Sequence, residues 1–215
     1  MILLILIDDA GSGSLIGGTI IGAMRYETEE FHFNTIPLKY YSPEFFSKKI
    51  YLDYVIEIVK DLFEKLQVNK NEEILICRGY MFDNLRKWFS KNNFKYTSTK
   101  IGEPLQSKIE STFENYTIRL GFPQRFISYT KYPFHFHRIL RWVYADYDER
   151  VKLCKTGWKS FTKYGSLPIQ YNTTKIKKSR FICLKCDKKI EDNSYVRLLE
   201  FTSNRPQKIY LHHDC

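Results

Sequence analysis

The sequence has no long apolar run. No stretch approaches the roughly 18 apolar residues of a membrane-spanning helix, and the apolar start at residues 1–7 runs directly into Asp8 and Asp9. This start is also too short for a secretory signal, and no basic residues precede it. We therefore expect a buried strand at residues 1–8, a cytoplasmic protein and no membrane partner.

Other features are scarce or missing. There are no internal repeats or low-complexity tracts, and no Gly-x-x-x-x-Gly-Lys-Ser/Thr loop, which excludes repeat architectures and P-loop nucleotide hydrolases. Only five of 215 residues are cysteine, and these include one Cys-x-x-Cys pair and the last residue. This arrangement favours metal binding over a disulfide framework.

Positive charge is concentrated in one part of the chain. The net charge is +10, and residues 121–180 contain 13 Lys and Arg against 3 Asp and Glu, with aromatic residues between them. Aromatic rings stack unpaired bases, and basic side chains hold phosphates. The pattern predicts a DNA or RNA partner, bound by Arg138, Arg141, Lys155, Trp158, Lys159 and Lys163. The alternative is a solvated basic surface that keeps the protein soluble.

Hydrophobic periodicity predicts an α/β (α+β) fold with a mixed sheet flanked by helices, plus a small metal-binding module. Alternating or continuous apolar runs predict strands at 1–8, 15–24, 31–38, 73–77 and 94–101. Helical spacing predicts helices at 42–67, 83–90, 104–120 and 133–154. The predicted units are a domain at 1–154, a basic connector at 155–180 and a zinc-finger module at 181–215.

The first predicted strand ends in an acidic, glycine-rich turn, Asp8-Asp9-Ala10-Gly11-Ser12-Gly13. Carboxylates at the end of a buried strand are costly unless they are paired or bind metal, and glycine allows a ligand to approach closely. The order βββαβαβα with an aspartate on the first strand resembles the ribonuclease H-like superfamily. The turn itself resembles that of type 2 ribonucleases H, whose first strand ends in Asp-Glu-Ala-Gly-Arg-Gly.

The resemblance implies a nuclease that holds two Mg²⁺ or Mn²⁺ ions on carboxylates. Carried over to this sequence, the catalytic acids are Asp8, Asp9, Glu103 and Asp146. Cys77 stands where the family has a third acid. Asp83, Glu110 and Asp148 are alternative sources of a carboxylate. The competing interpretation is a binding or adaptor protein that kept the fold and lost catalysis with that acid.

The C-terminal end has the spacing of a zinc site. Cys183-x-x-Cys186 is followed, after 25 residues, by His212-x-x-Cys215. Thiolates two residues apart share one turn, and the second pair completes a tetrahedron around Zn²⁺. A module of this size is too small for a core of its own, so the metal stabilises its fold. The pattern resembles treble-clef and LIM-type fingers, which bind nucleic acid or protein. His213 is an alternative ligand.

Overall fold

A five-stranded mixed sheet forms the centre of the first 120 residues. The computed structural model describes residues 3–128 and 134–215. Across the sheet the strands lie in the order β3-β2-β1-β4-β5. β1, β2 and β3 pair antiparallel, and β4 pairs parallel with β1 and β5. The strands are β1 Leu4–Ala10, β2 Thr19–Arg25, β3 Glu30–Ile36, β4 Glu73–Cys77 and β5 Tyr96–Thr99.

Helices cover both faces of this sheet, which confirms the predicted fold class. α1 Pro43–Ser47, α2 Ile50–Lys65 and α3 Asp83–Lys91 precede α4 Leu105–Arg119. Ile5 and Ile7 of β1 pack with α2 and α3, whereas Leu6 and Ala10 pack with α4. β1 is therefore buried on both faces, which explains its nearly continuous apolar sequence.

Two predicted helices are interrupted in the structure. The helix expected at 42–67 breaks between α1 and α2, where Lys49 has a φ of 56°. The helix expected at 133–154 is divided into α6 Phe136–Tyr144 and α7 Tyr147–Arg150, and α5 Gln124–Ser128 precedes it. The predicted starts at Met1 and Pro133 lie outside the described residues. Within 3–128 and 134–215, no helix has both the length and the apolar character needed to cross a bilayer.

A second, antiparallel sheet of three strands packs against α6. Its strands are β6 Gln170–Ile176, β7 Ser194–Thr202 and β8 Pro206–His212, and α8 Lys159–Tyr164 precedes them. Trp142 and Val143 of α6 share a core with Val196, Phe201 and Ile209 of the sheet. Residues 155–180, predicted as a connector, thus contain a helix and a strand, and residues 181–215 share their core with α6.

Arg150 links the two parts of this core. Its Nη1 donates to the carbonyl oxygens of Trp142 at 2.7 Å and Leu184 at 2.8 Å, and its Nη2 donates to that of Lys185 at 2.8 Å. The guanidinium also lies 4.1 Å from the centroid of the Trp142 ring. One buried cation therefore holds the turn between Cys183 and Cys186 against α6.

We expect Arg150→Leu to destabilise the protein. Three backbone carbonyl groups would lose their donor, and an unsatisfied buried polar group costs about 1–3 kcal/mol. The expected loss in the free energy of unfolding is about 3 kcal/mol, measured by urea denaturation. The matched control is Arg119→Leu, the same change at an exposed site, for which we expect a shift within about 0.5 kcal/mol. Equal losses in the two variants would contradict the linking role of Arg150.

Candidate functional site

Two aspartates and a cysteine meet at the carboxyl edge of the five-stranded sheet. Asp8 and Asp9 lie near the end of β1, and Cys77 ends β4. Parallel pairing of Ile7 with Ile76 brings the two strand ends level. One ligand-type atom from each of the three side chains lies within 4.8 Å of the other two. We call Asp8, Asp9 and Cys77 the acidic cluster.

The glycine turn after β1 allows α4 to approach this cluster. Gly11 has a φ of 84°, and the ring of Phe113 occupies the space where a side chain at Gly11 would lie. Glycine is favoured at such a position because the left-handed conformation has no steric cost without a Cβ. The turn then brings the hydroxyl and backbone N–H of Ser12 into hydrogen bonds with Asp9.

Burial makes ionisation of the two aspartates unfavourable. Burial raises the pKa of Asp9 to about 6, and the charge of Asp8 contributes to this increase. Hydrogen bonds from Ser12 and the charge of Lys155 act in the opposite direction. Burial also raises the pKa of Asp8, against hydrogen bonds from the Cys77 thiol and from the Asp9 N–H at 2.8 Å. Two adjacent carboxylates repel each other, so a bound cation would favour their ionised forms.

Cys77 contributes a protonated thiol to the acidic cluster. Burial raises its pKa to about 11, the backbone N–H of Gly79 opposes the rise, and the hydrogen bond to Asp8 and the charges of both aspartates add to it. At neutral pH the thiol therefore donates a hydrogen bond and carries no charge. The cluster has two carboxylates where the ribonuclease H resemblance implies three or four.

The structure does not group Glu103 or Asp146 with Asp8. Glu103 accepts hydrogen bonds from the Ser107 hydroxyl at 2.6 Å and the Ser107 N–H at 3.3 Å. Asp146 forms an ion pair with Lys185 at 3.0 Å. Both acids therefore have local partners outside the acidic cluster, and their catalytic role stays a prediction.

Glu110 is the further acid that acts on Asp8. It lies two turns beyond Glu103, and its charge raises the pKa of Asp8. Its carboxylate accepts a hydrogen bond from Gln106 Nε2 at 3.2 Å. Asp83 instead pairs with Arg86, and Asp148 is exposed in the first turn of α7.

Lys155 is buried behind the acidic turn, with 0% of its surface exposed. Its Nζ donates to the carbonyl oxygen of Gly11 at 2.6 Å and lies 3.4 Å from Thr19 Oγ1. Burial lowers the pKa of Lys155 to about 7, and the charge of Asp9 opposes this decrease. The sequence predicts Lys155 on a phosphate-binding surface, whereas in the structure its side chain is buried and its ammonium group donates to the Gly11 carbonyl.

The remaining predicted nucleic-acid residues fall into two places. Trp158 is half-buried, with its ring 5.2 Å from Lys155 Nζ, whereas Lys159 and Lys163 are exposed on α8. Arg138 and Arg141 line a groove of about 650 Å³ beside the second sheet. We call it the arginine groove and define it by Arg138, Arg141, Arg180, Phe181, Arg205 and Tyr210.

Cys183, Cys186, His212 and Cys215 form a second cluster that can hold a metal ion. The Sγ atoms of Cys183 and Cys215 are 3.9 Å apart, and His212 Nδ1 lies 3.2 Å from Cys186 Sγ and 3.8 Å from Cys215 Sγ. Metal–ligand bonds of about 2.0–2.3 Å in a tetrahedron separate the ligand atoms by about 3.5–3.8 Å. The donor set therefore fits a four-coordinate metal.

Contacts outside this cluster select His212 over His213. His212 Nε2 lies 3.1 Å from the carbonyl oxygen of Lys189, which leaves Nδ1 directed at the thiols. Such a bond to the second ring nitrogen is typical of metal-binding histidines, because it fixes the tautomer and the ring orientation. His213 instead pairs with Asp214 at 3.3 Å.

Backbone amides also prepare Cys183 to bind as a thiolate. Burial alone would raise the pKa of Cys183, but hydrogen bonds from the backbone N–H groups of Cys186, His212 and Lys185 outweigh it and lower the pKa to about 7. A thiolate is the form that binds metal. The Cys183–Cys186 pair and the His212–Cys215 pair thus meet in a geometry that can hold a metal ion.

Comparison with protein families and curated proteins does not place the chain. No protein-family model matches it, and no curated protein is significantly similar to it. Inferences about function therefore depend on the acidic cluster, the metal centre and the arginine groove.

We expect Lys155→Met to change how stability depends on pH. The pKa of Lys155 is lower in the folded than in the unfolded protein, so the unfolded chain binds more protons and wild-type stability rises as pH increases from about 7 to 9. The wild type should gain up to about 1.4 kcal/mol per pH unit relative to the variant, measured by urea denaturation. Lys159→Met, at an exposed lysine, gives the baseline. A wild-type-to-variant difference that stays flat between pH 7 and 9 would show that folding does not lower the pKa of Lys155.

Proposed function

We propose that this protein is a divalent-metal-dependent nuclease with a ribonuclease H-like domain. The observation that carries the proposal is the acidic cluster, in which Asp8 and Asp9 meet the end of a neighbouring parallel strand. Between residues 4 and 119 the elements follow the order βββαβαβα on which the sequence resemblance rests, with the first helix divided into α1 and α2. That order supports the assignment because it brings the end of β1 beside the end of β4.

The acidic cluster suits one hydrated Mg²⁺ or Mn²⁺ ion better than two. Mg²⁺ in proteins keeps several waters and is held by one or two carboxylates together with phosphates of the substrate. Asp8 and Asp9 supply those carboxylates, and Glu110 is the nearby acid available to hold water or a second ion. The chemistry that such a cation supplies is activation of a water and stabilisation of the leaving oxygen.

The residues around Asp8 and Asp9 prepare them for this role. Hydrogen bonds from Ser12 orient Asp9, the charge of Lys155 offsets part of its charge, and the Cys77 thiol orients Asp8 by donating a hydrogen bond. Their raised pKa values mean that loading the cation releases protons, since the ionised form is the one that binds. Metal affinity should accordingly increase with pH.

We further propose that the Cys₃His cluster binds structural Zn²⁺. Three thiolates and one imidazole are a common structural zinc set, and four protein ligands leave no open position for substrate. The cluster lies at the end of the second sheet, where Arg150 donates to two carbonyl groups of the Cys183–Cys186 turn. The metal would therefore stabilise this turn and the adjoining strands.

One specific observation favours a second function, a nucleic-acid-binding or adaptor protein without catalysis. Cys77 is a neutral thiol at the position where the resemblance implies a third carboxylate. Loss of that acid would weaken cation binding while leaving the fold and the arginine groove unchanged. Cleavage by the wild type, or its absence, discriminates between the two functions.

The zinc assignment predicts about one Zn²⁺ per purified chain by elemental analysis. His212→Asn should lose the ion and increase hydrogen exchange in residues 181–215, because the turn then lacks its metal. The matched control is His213→Asn, which should keep both the zinc and the exchange pattern. Full-length protein that contains no zinc, with a melting curve that a chelator does not change, would contradict the assignment.

The nuclease assignment predicts that Asp8→Asn abolishes Mg²⁺- or Mn²⁺-dependent cleavage and keeps nucleic-acid binding. In buffer without Mg²⁺ or Mn²⁺ the variant should be more stable than the wild type, because the repulsion between Asp8 and Asp9 is removed. Added Mn²⁺ should raise the melting temperature of the wild type in a concentration-dependent way, and not that of the variant.

Three further variants sharpen this test. Glu110→Gln should reduce cleavage, whereas Glu103→Gln should not, since Glu103 is bonded to Ser107. Asp61→Asn, an acid paired with Lys65 on α2, is the control for the loss of one carboxylate. The proposal fails if the wild type neither cleaves DNA, RNA or hybrid substrates nor responds to Mn²⁺ in a melting assay.

A further inference from the structure

The arginine groove collects positive charge that its own lining does not neutralise. Arg138 and Arg141 reach it from α6, Arg180 from the start of the metal-binding module and Arg205 from the turn between β7 and β8. Among its described lining residues there is no carboxylate. Arg125, at one end, is paired with an acid outside the groove, Asp187 at 2.5 Å.

Arg141 shows that the groove has an incomplete set of polar contacts. Its Nη2 donates to the carbonyl oxygen of Lys208 at 2.8 Å, but its buried Nε has no hydrogen-bond partner within the described structure. Burial lowers the pKa of Arg141, and the charges of Arg205 and Arg138 lower it further. A half-buried guanidinium beside two others is stabilised by an anion that accepts from it.

An aromatic surface lies next to these guanidinium groups. The rings of Phe181 and Tyr210 stack with their centroids 4.1 Å apart, and Phe181 keeps 39% of its surface exposed. Its neighbour Ile182 is also 39% exposed. A flat apolar surface beside a set of guanidinium groups is suited to a ligand that combines a planar base with phosphate.

We infer that the arginine groove binds an unpaired nucleotide of a single-stranded nucleic acid, with its phosphate on Arg141, Arg180 and Arg205 and its base on Phe181. The volume of about 650 Å³ lies within the range of about 300–1,000 Å³ that encloses small organic ligands. Guanidinium groups match phosphate oxygens in a two-point geometry. The inference takes nucleic acid as the class of partner from the proposed function. It adds that the binding site is the arginine groove and that the bound form is single-stranded.

A single strand fits this groove better than a duplex does. Bases inside a duplex are stacked on each other, so none can reach the ring of Phe181 without leaving the stack. A duplex could place phosphates only along the rim and would gain no contact with Phe181 or the buried Nε of Arg141. The groove also differs from the predicted phosphate surface, since Lys155 is buried and Arg205 lies outside the basic segment 121–180.

The test measures binding of short fluorescein-labelled single strands by anisotropy, in buffer that keeps zinc but contains no Mg²⁺ or Mn²⁺. The variant Arg180→Gln/Arg205→Gln changes two exposed side chains and should weaken binding at least about tenfold. The slope of log affinity against log salt should fall by about 1.4, which is 0.7 for each phosphate contact to a single strand. Lys87→Gln/Lys91→Gln removes the same charge from exposed positions on α3 and should change affinity less than about threefold.

The stacking contact is tested separately. Phe181→Leu keeps apolar bulk against Tyr210 and removes the flat ring, and it should weaken binding of single strands at least about fivefold. Tyr195→Leu, at a ring that is 62% exposed on β7, is the control and should bind as the wild type does. Zinc content and melting temperature are measured for each variant, and the arginine pair carries the test if Phe181→Leu is unstable.

Each outcome decides between the two proposals. If the wild type cleaves no substrate but the groove variants lose binding, the nucleotide site in the groove is supported and the nuclease assignment is contradicted. If the wild type cleaves and the groove variants bind as tightly as it does, the nucleotide site in the groove is contradicted and the nuclease assignment stands. The inference is also overturned if the wild type binds no single strand, if duplex binds as tightly, if polyglutamate competes as well as the oligonucleotide, or if the control pair loses as much affinity.

Discussion

The buried ammonium group of Lys155 is the interaction on which the acidic end of the sheet depends. It donates to the Gly11 carbonyl, lies beside Thr19, and faces the ring of Tyr41 at 4.7 Å. Its backbone N–H also donates to the Leu15 carbonyl at 2.8 Å, so the chain after α7 is held against the turn after β1. A buried cation is costly unless charge and hydrogen bonds compensate it. The negative charge of Asp9 is that compensation, and the same charge is what the proposed cation site needs.

The charge of Lys155 also affects the charge balance of the acidic cluster. Two carboxylates, one neutral thiol and one buried ammonium leave little net negative charge. Families that hold two metal ions use three or four carboxylates, because each divalent ion needs its charge matched. This cluster is therefore expected to bind its cation weakly on its own and more strongly when a substrate phosphate adds negative charge. Cys77 and Lys155 both reduce the negative charge of the cluster, because Cys77 stands in place of an acid and Lys155 offsets the charge of Asp9.

The features predictable from sequence are those set by local patterns. The continuous apolar run of β1, the helical spacing of α2 and α4, and the Cys-x-x-Cys and His-x-x-Cys pairs each reflect neighbours in sequence. The features that were missed depend on distant residues. From sequence, Lys155 resembled the many surface lysines around it, because Gly11, to which its ammonium group donates, lies 144 residues away in the chain. Glu103 had the sequence position expected of a catalytic acid, but its side chain bonds to Ser107, four residues away. The acid whose charge acts on Asp8 is Glu110, about two turns further along the chain. Arg180 and Arg205 become neighbours of Arg141 only when the second sheet packs on α6.

The metal centre and the arginine groove are coupled by the short segment that they share. Arg180, Phe181, Ile182 and Leu184 line the groove, and Cys183 lies among them as a member of the cluster that can hold a metal ion. The Phe181 carbonyl accepts the N–H of Ile190 at 3.0 Å, and Cys183 donates its own N–H to Lys188 at 2.9 Å, so the segment is held as one arm of the metal-binding turn. Arg150 fixes the other side of that turn to α6, which carries Arg138 and Arg141. Removing the metal would free the arm that carries Arg180 and Phe181 while leaving the arm on α6 in place. The metal centre, although it has no open position for substrate, thereby sets the distance between the guanidinium groups and the ring on which a nucleotide would lie.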